Sequence, residues 1–295
     1  MNMEAIDNSK ELSQSDLELV LKGIKIPPQP QVLVDIQMET AMPDCSLGNI
    51  TALIAKDIGL SGWVLKTVNS AIFGLPNKVT SIGQAINLLG VNSIVNIVNA
   101  VSISEALTNE SIEELNQFWD NANDVASACS VISKKLNLNL GDAAYTLGLF
   151  HDCGIPLLRM KHDNYFEVLK SAYAQDQVRI TEVENEQYQS NHAVVGFYVA
   201  KSWKLPTEIC EAIADHHKVG EILAQNNAAE TPKKNLLVIL KIAENLCGTY
   251  QSIGHQNQDH EFEKIKTDIF RYLGISEIDI DDIRDDLYEK GILHL

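Results

Sequence analysis

Two observations predict an all-α protein. Apolar residues recur at three- and four-residue steps along nearly the whole chain, and no alternating strand pattern runs longer than a few residues. A polar stretch around Leu107 to Glu110 separates two such helical blocks, so two packed helical bundles are expected. With 295 residues, 45% of them hydrophobic, the chain can bury a proper core without disulfides or other staples.

The chain is expected to divide into a polar N-terminal segment over 1–16, a helical bundle over 17–109, a second over 110–250, and an acidic helical extension over 251–295. Within the first bundle, Ile82, Ile86, Leu89, Ile94, Val98 and Val101 fall on overlapping helical faces, with Gly90 where one helix hands over to the next. They read as buried core. The second block opens on Ser111-Ile112-Glu113-Glu114, a capping-box pattern, followed by Leu115, Phe118, Trp119, Ala122, Val125, Cys129 and Ile132 at helical spacing. One long amphipathic helix over 111–136 is expected. Thr181 and Glu184 repeat the capping-box spacing ahead of a helix running toward Trp203, and Pro206 sits just inside the start of the next, TEICEAIADHH. QSIGHQNQDHE (251–261) reads as another break, and DIDDIRDD (279–286) as a solvated helix face.

A formal net charge of −17 repels a nucleic-acid backbone over most of the surface, so direct nucleic-acid binding is not expected. A local basic patch could still hold a small phosphorylated ligand. The five cysteines, Cys45, Cys129, Cys153, Cys210 and Cys247, lie far apart with no C-x-x-C pair, which suits a reducing compartment. The polar, acidic N-terminus lacks the parts of a secretion signal, and no later segment is read as reaching a membrane-spanning length without charges. A cytoplasmic protein with no membrane insertion is expected.

No HExxH, P-loop, GxGxxG or GxSxG pattern is present. What remains is a set of histidines: His151 beside Asp152 in the apolar run GLFHDCGIPLL (148–158), His192, and adjacent His216 and His217. A charged carboxylate in such a run is costly unless something compensates it. Imidazole nitrogens and carboxylate oxygens suit Fe, Mn, Zn or Mg, yet the spacing alone is weak evidence, because a lone His-Asp pair is more often a hydrogen-bonded surface pair. Lys161-His162-Asp163 reads as such a pair, and one histidine of the 216–217 pair is well placed to close a helix C-terminus.

Taken in order, GLFHDCGIPLL and NHAVVGFYVAKSWKLPTEICEAIADHH (191–217) resemble the HD superfamily of metal-dependent phosphohydrolases, and within it the HDOD family, the HD-related output domains. IPPQPQVLVDIQ (26–37) and IAKDIGLSGWVLKTVNSAIFGLPNKVTSIGQAINLLG (54–90) resemble the helical segment that distinguishes the HDOD family. The likeness covers roughly residues 17–250 and makes the second bundle HD-like.

The resemblance implies a metal set of His151, Asp152 and a later acid at Glu244, joined by His192, His216 and His217, which match positions in the binuclear HD-GYP branch. It also marks departures. The first metal histidine of HD enzymes falls at Asn121, whose neutral amide oxygen is a poorer ligand, and the lysine of HDxGK is replaced by Ile155, which cannot contact a phosphate. KVGEI stands where the GYP signature would follow. Asp215 is a candidate to orient an imidazole, whereas Cys153 reads as packing and Gly154 and Pro156 as shaping a helix end.

The leading expectation is a signal-transduction module that acts through a protein partner and contains a degenerate metal pocket requiring no cofactor. The alternatives are a metal-dependent phosphohydrolase or phosphodiesterase, and a pocket that senses a nucleotide or other small anion.

Overall fold

In the computed structural model, residues 21, 23–70, 75, 77–107, 113–225 and 231–293 are described. Among them the regular structure is entirely helical, as the spacing predicts. The helices are α1 (Gln31–Ala41), α2 (Leu47–Ala55), α3 (Ile58–Val68), α4 (Ile82–Leu107), α5 (Glu113–Lys135), α6 (Gly141–Phe150), α7 (Gly154–Lys161) and α8 (Tyr165–Tyr173). They continue with α9 (Ile180–Tyr188), α10 (His192–Ser202), α11 (Thr207–Asp215), α12 (Val219–Ala224), α13 (Pro232–Cys247), α14 (Thr249–Ser252), α15 (His260–Leu273) and α16 (Glu277–Glu289).

Local chemistry sets many of these ends. Side-chain oxygens of Ser46, Asp57, Asn191, Thr231 and Asp259 accept the backbone N–H three residues on, opening α2, α3, α10, α13 and α15. Gly248 and Gly274 close α13 and α15 in the left-handed region, where glycine has no Cβ penalty.

α4 bends where expected: Gly90 adopts φ 81° and ψ 165°, and Ile82, Ile86, Ile94, Val98 and Val101 are buried while Leu89 is half-buried against the core. α5 buries Leu115, Phe118, Trp119, Ala122, Val125, Cys129 and Ile132. Its expected cap at Ser111, the loop residues 108–110 and the polar segment 1–16 lie outside the described residues. The break expected over 251–261 falls between α14 and α15. On α16, Ile280 and Ile283 face the core and the acidic side chains between them face outward.

Three readings need correction. The Thr181–Glu184 capping box does not form: Thr181 lies inside α9, Arg179 is its cap with its backbone N–H donating to Glu182, and Glu184 is fully buried. The helix running to Trp203 is two helices, because Gln189 turns left-handed at φ 57° and Asn191 caps a new start. Pro206 flanks α11 as its cap rather than lying inside it. In addition, α4 is long and apolar enough by composition to cross a membrane, contrary to the expectation that no uncharged stretch reaches that length. Its buried apolar face, with Ile82, Ile86, Ile94, Ile97 and Val98 in the core, and its packing on α2, α3 and α6 account for that composition as a core helix.

α6 lies between α5, α13, α4 and α11. Gly148 lets it press on α5, since a Cβ there would lie 2.7 Å from Ala126 Cα. Two polar ties join the N-terminal helices to this framework. Ser93 Oγ donates to the Asp142 carboxylate at 2.9 Å, and Trp203 Nε1 donates to the Pro27 carbonyl at 3.0 Å. Gln29 and Gln37 return bonds to the Trp203 carbonyl at 3.1 and 3.3 Å.

Candidate metal centre

α6 ends on His151, a tight turn carries Asp152 and Cys153, and α7 restarts the chain at Gly154. A Cβ on Gly154 would lie 2.1 Å from the His192 carbonyl oxygen, so only glycine permits the start of α7 to meet the start of α10. Asn191 caps α10 and thereby presents His192 as its first residue. His216 and His217 follow α11, and Glu244 projects from α13. His151, Asp152, His192, His216, His217 and Glu244 are all buried.

These six side chains meet. His192 Nε2 lies 3.2 Å from His216 Nε2 and 3.0 Å from His217 Nε2. Asp152 Oδ1 is 3.3 Å from both His192 Nε2 and His216 Nε2, while its Oδ2 is 3.1 Å from His151 Nε2. Glu244 Oε1 stands 3.5 Å from the same His151 nitrogen. The donors thus form two groups, Asp152–His192–His216–His217 and His151–Asp152–Glu244, with Asp152 giving one oxygen to each.

The outer ring nitrogens explain why the inner ones face each other. His151 Nδ1 bonds the Gly148 carbonyl at 2.8 Å and His216 Nδ1 the Ile213 carbonyl at 2.7 Å. A carbonyl can only accept, so both rings carry a proton on Nδ1 and turn Nε2 inward. His192 Nδ1 donates to Glu184 at 2.7 Å and His217 Nδ1 to Glu261 at 2.8 Å. Carboxylates behind ligating imidazoles fix the tautomer and raise the basicity of the other nitrogen. Inner lone pairs at 3.0–3.2 Å repel unless a cation lies between them, either a shared proton or a metal ion. His151 Nε2 is buried and has no hydrogen bond of acceptable geometry. The donor set therefore fits a divalent ion.

The titration behaviour agrees. Burial opposes charge on His192, but Glu184 and Asp152 outweigh it and raise its pKa to about 9. His216 is held well below the usual value by burial and by His217 beside it. For Asp152 burial favours the neutral acid, yet the His151 imidazole and its neighbours hold the carboxyl far below the ordinary range. At His151 burial is likewise outweighed by Asp152 and Glu244, which raise it. Raised imidazoles beside a depressed one are what a cation site holds when protons substitute for the metal.

Asn121 is buried and accepts from Thr249 Oγ1 at 3.1 Å. Ile155 is buried in the core. The Asp215 carboxylate is held by Lys218 at 3.2 Å and Lys233 at 2.7 Å. Cys153 is fully buried, Gly154 and Pro156 lie in the first turn of α7, and His162 stacks on Tyr188 with ring centroids 4.3 Å apart. Three further residues serve the centre: Glu184, which also accepts from Tyr165 Oη, Glu261, and Lys241 on α13. No spacing rule pointed to them.

A cavity of about 300 Å³ adjoins the centre at His217 and Glu261, with Arg179, Lys218, Lys264 and Tyr173 in its wall. Arg179 is engaged by Glu182 and Glu221, and Lys218 by Asp215.

Residues 26–219 match the HDOD domain family. An uncharacterized protein of Treponema pallidum (strain Nichols) is 28% identical over 210 residues, 66% of this chain; the chain spans 38% of that relative's length. A candidate metal-dependent phosphohydrolase from Shewanella amazonensis SB2B superposes with a TM-score of 0.69 at 19% identity, covering 94% of this chain and 95% of that one. An HDOD domain protein of unknown function from Geobacter sulfurreducens gives 0.63 at 20% identity, over 94% and 99%. A candidate signal transduction protein from Marinobacter aquaeolei VT8 gives 0.62 at 16%, over 96% of this chain and 60% of that one. At these identities the structural matches establish the fold.

Proposed function

The chain belongs to the HDOD domain family, and from that premise we propose that it is a signal-transduction module that works through a protein partner and carries a closed, non-catalytic divalent-metal centre. The observation that carries this reading is the convergence of three imidazole nitrogens and one Asp152 oxygen, every outer nitrogen already bonded. For zinc, a full set of four protein ligands is the mark of a structural site, whereas catalytic zinc keeps a position open for water or substrate. Asp152, His192, His216 and His217 would hold the ion, which would supply positive charge that fastens α7, α10 and α11 together. The loss of a ligating histidine at Asn121 and of a phosphate-binding lysine at Ile155 supports the same reading. The acidic surface suits a partner with a basic face. The Marinobacter aquaeolei VT8 protein of this fold is a candidate signal transduction protein, in line with this role.

Elemental analysis of protein purified without chelator or affinity nickel tests it. Zn near one equivalent, lost in the Asp152→Ala, His216→Ala variant, is expected; metal indifferent to those substitutions overturns the proposal, and Fe or Mn in place of Zn overturns its closed character.

One observation favours a phosphohydrolase instead: the cavity reaches His217, so a small phosphorylated ligand could approach the centre. Two of the cations in its wall, Arg179 and Lys218, are already engaged by carboxylates, which argues against this. Turnover of a generic phosphodiester by the metal-loaded chain, abolished in the same variant, would establish the enzymatic reading.

A further inference from the structure

Lys241 is only 3% exposed and projects from α13 one turn before Glu244, amid the buried run Leu236–Ala243. Lysine is among the residues least often buried, and an apolar side chain of similar length would fill this space at lower cost. Its surroundings must therefore require the charge. The ammonium lies 3.0 Å from Glu244 Oε2 and 3.3 Å from Glu261 Oε2, so two carboxylates compensate its buried charge.

Both partners belong to the centre. Glu261 backs His217, and Glu244 shares its carboxylate between His151, facing Oε1, and Lys241, facing Oε2. The His151–Asp152–Glu244 group is the one that would have to hold a second ion, since Asp152 can offer one oxygen to each of two metals. An ammonium on the far oxygen of Glu244 already supplies the positive charge that such an ion would bring.

We infer that Lys241 is a built-in cation that replaces a second metal ion and limits the centre to one divalent ion, held by Asp152, His192, His216 and His217. The inference rests on the reading above that this four-ligand group binds metal. Charge balance carries it further. Four carboxylates crowd the centre: Asp152, Glu184, Glu244 and Glu261. One divalent ion with Lys241 leaves a single negative charge, which the Tyr165 hydroxyl on Glu184 helps to satisfy. A second divalent ion beside Lys241 would leave the buried site with surplus positive charge. Without the lysine, two divalent ions balance the four carboxylates.

The test is manganese stoichiometry. Protein stripped with chelator is loaded with excess Mn(II), desalted, and measured by elemental analysis and by electron paramagnetic resonance. The wild-type chain is expected to retain about one ion with the spectrum of an isolated Mn(II), and Lys241→Met about two with the signature of a coupled pair. Two ions in the wild type overturn the inference while leaving the metal reading intact, as does a folded Lys241→Met variant that stays at one. No ion in the wild type overturns the metal reading and the inference with it. Should Lys241→Met fail to fold, Lys241→Gln removes the charge, keeps an amide that can hydrogen-bond Glu244 and Glu261, and leaves all four carboxylates in place. It carries the same expectation, and a single ion in it counts equally against the proposal.

Discussion

Gly154 and His192 touch backbone to backbone: a Cβ on Gly154 would lie 2.1 Å from the His192 carbonyl oxygen. The glycine is thus a condition for bringing the His151-Asp152 turn against the first turn of α10. Gly154→Ala should force α7 and α10 apart, at a cost of about 3 kcal/mol or more given the usual price of overpacking a core. Denaturant unfolding should show the loss, and metal retention should fall with it. Unchanged stability and unchanged metal content would mean that the two helices do not need this approach.

Glu184 accepts from Tyr165 Oη and from His192 Nδ1 while itself fully buried. Glu184→Ala leaves both donors without a partner. Carboxylates that support a ligating imidazole typically contribute about 10- to 100-fold in metal affinity, so chelator competition should show a loss of that size. Tyr165→Phe removes only one bond to the same carboxylate and should produce a smaller loss. Equal affinities for all three proteins would remove Glu184 from the centre.

The proton on His192 gives opposite pH dependences with and without metal. Its folded pKa of about 9 lies above the unfolded value, so its stabilisation of the metal-free chain is complete below about pH 6.5 and is lost as pH rises through about 9. A metal ion needs that nitrogen unprotonated, so metal affinity should rise over the same window. The gap in melting temperature between metal-loaded and chelated protein should therefore widen from pH 6.5 to 9. A constant gap would mean that His192 does not give up a proton to the ion.

Much of this organisation is legible in the sequence because it is written in local patterns. The core residues of α4 and α5 follow from three- and four-residue spacing, and the Gly90 bend from a single residue that interrupts it. His151, Asp152, His192, His216, His217 and Glu244 follow from a resemblance carried by ordered motifs, and the fold brings all six together. The residues behind them are not visible in this way. Glu184 has the spacing of a capping box with Thr181, and only tertiary packing turns it toward Tyr165 and His192. Glu261 lies in a stretch that reads as a break, and Lys241 stands in the apolar run LLVILKIA (236–243) with no pattern that marks it. Contacts between groups far apart in sequence decide these roles, and no periodicity encodes them.

α10 offers a route from the centre to the N-terminal helices. Its first residue is His192 and its cap is Trp203, whose indole donates to the Pro27 carbonyl and whose own carbonyl accepts from Gln29 and Gln37. At about 1.5 Å per residue the helix is a short rod, stiff enough for a shift at one end to be felt at the other. Removing metal relaxes the restraint on His192, so hydrogen exchange should speed up not only at the start of α10 but also in α1. Trp203→Phe deletes the donor to Pro27 and should cost about 1–3 kcal/mol through the unpaired carbonyl and the smaller ring. In that variant α1 should exchange faster whether or not metal is bound, and metal content should stay at the wild-type level. Such a result would place Trp203 between the centre and the N-terminal helices. If chelation left α1 unchanged in the wild-type protein, the centre would be a local staple, and a regulatory signal would have to reach the N-terminal surface by another path.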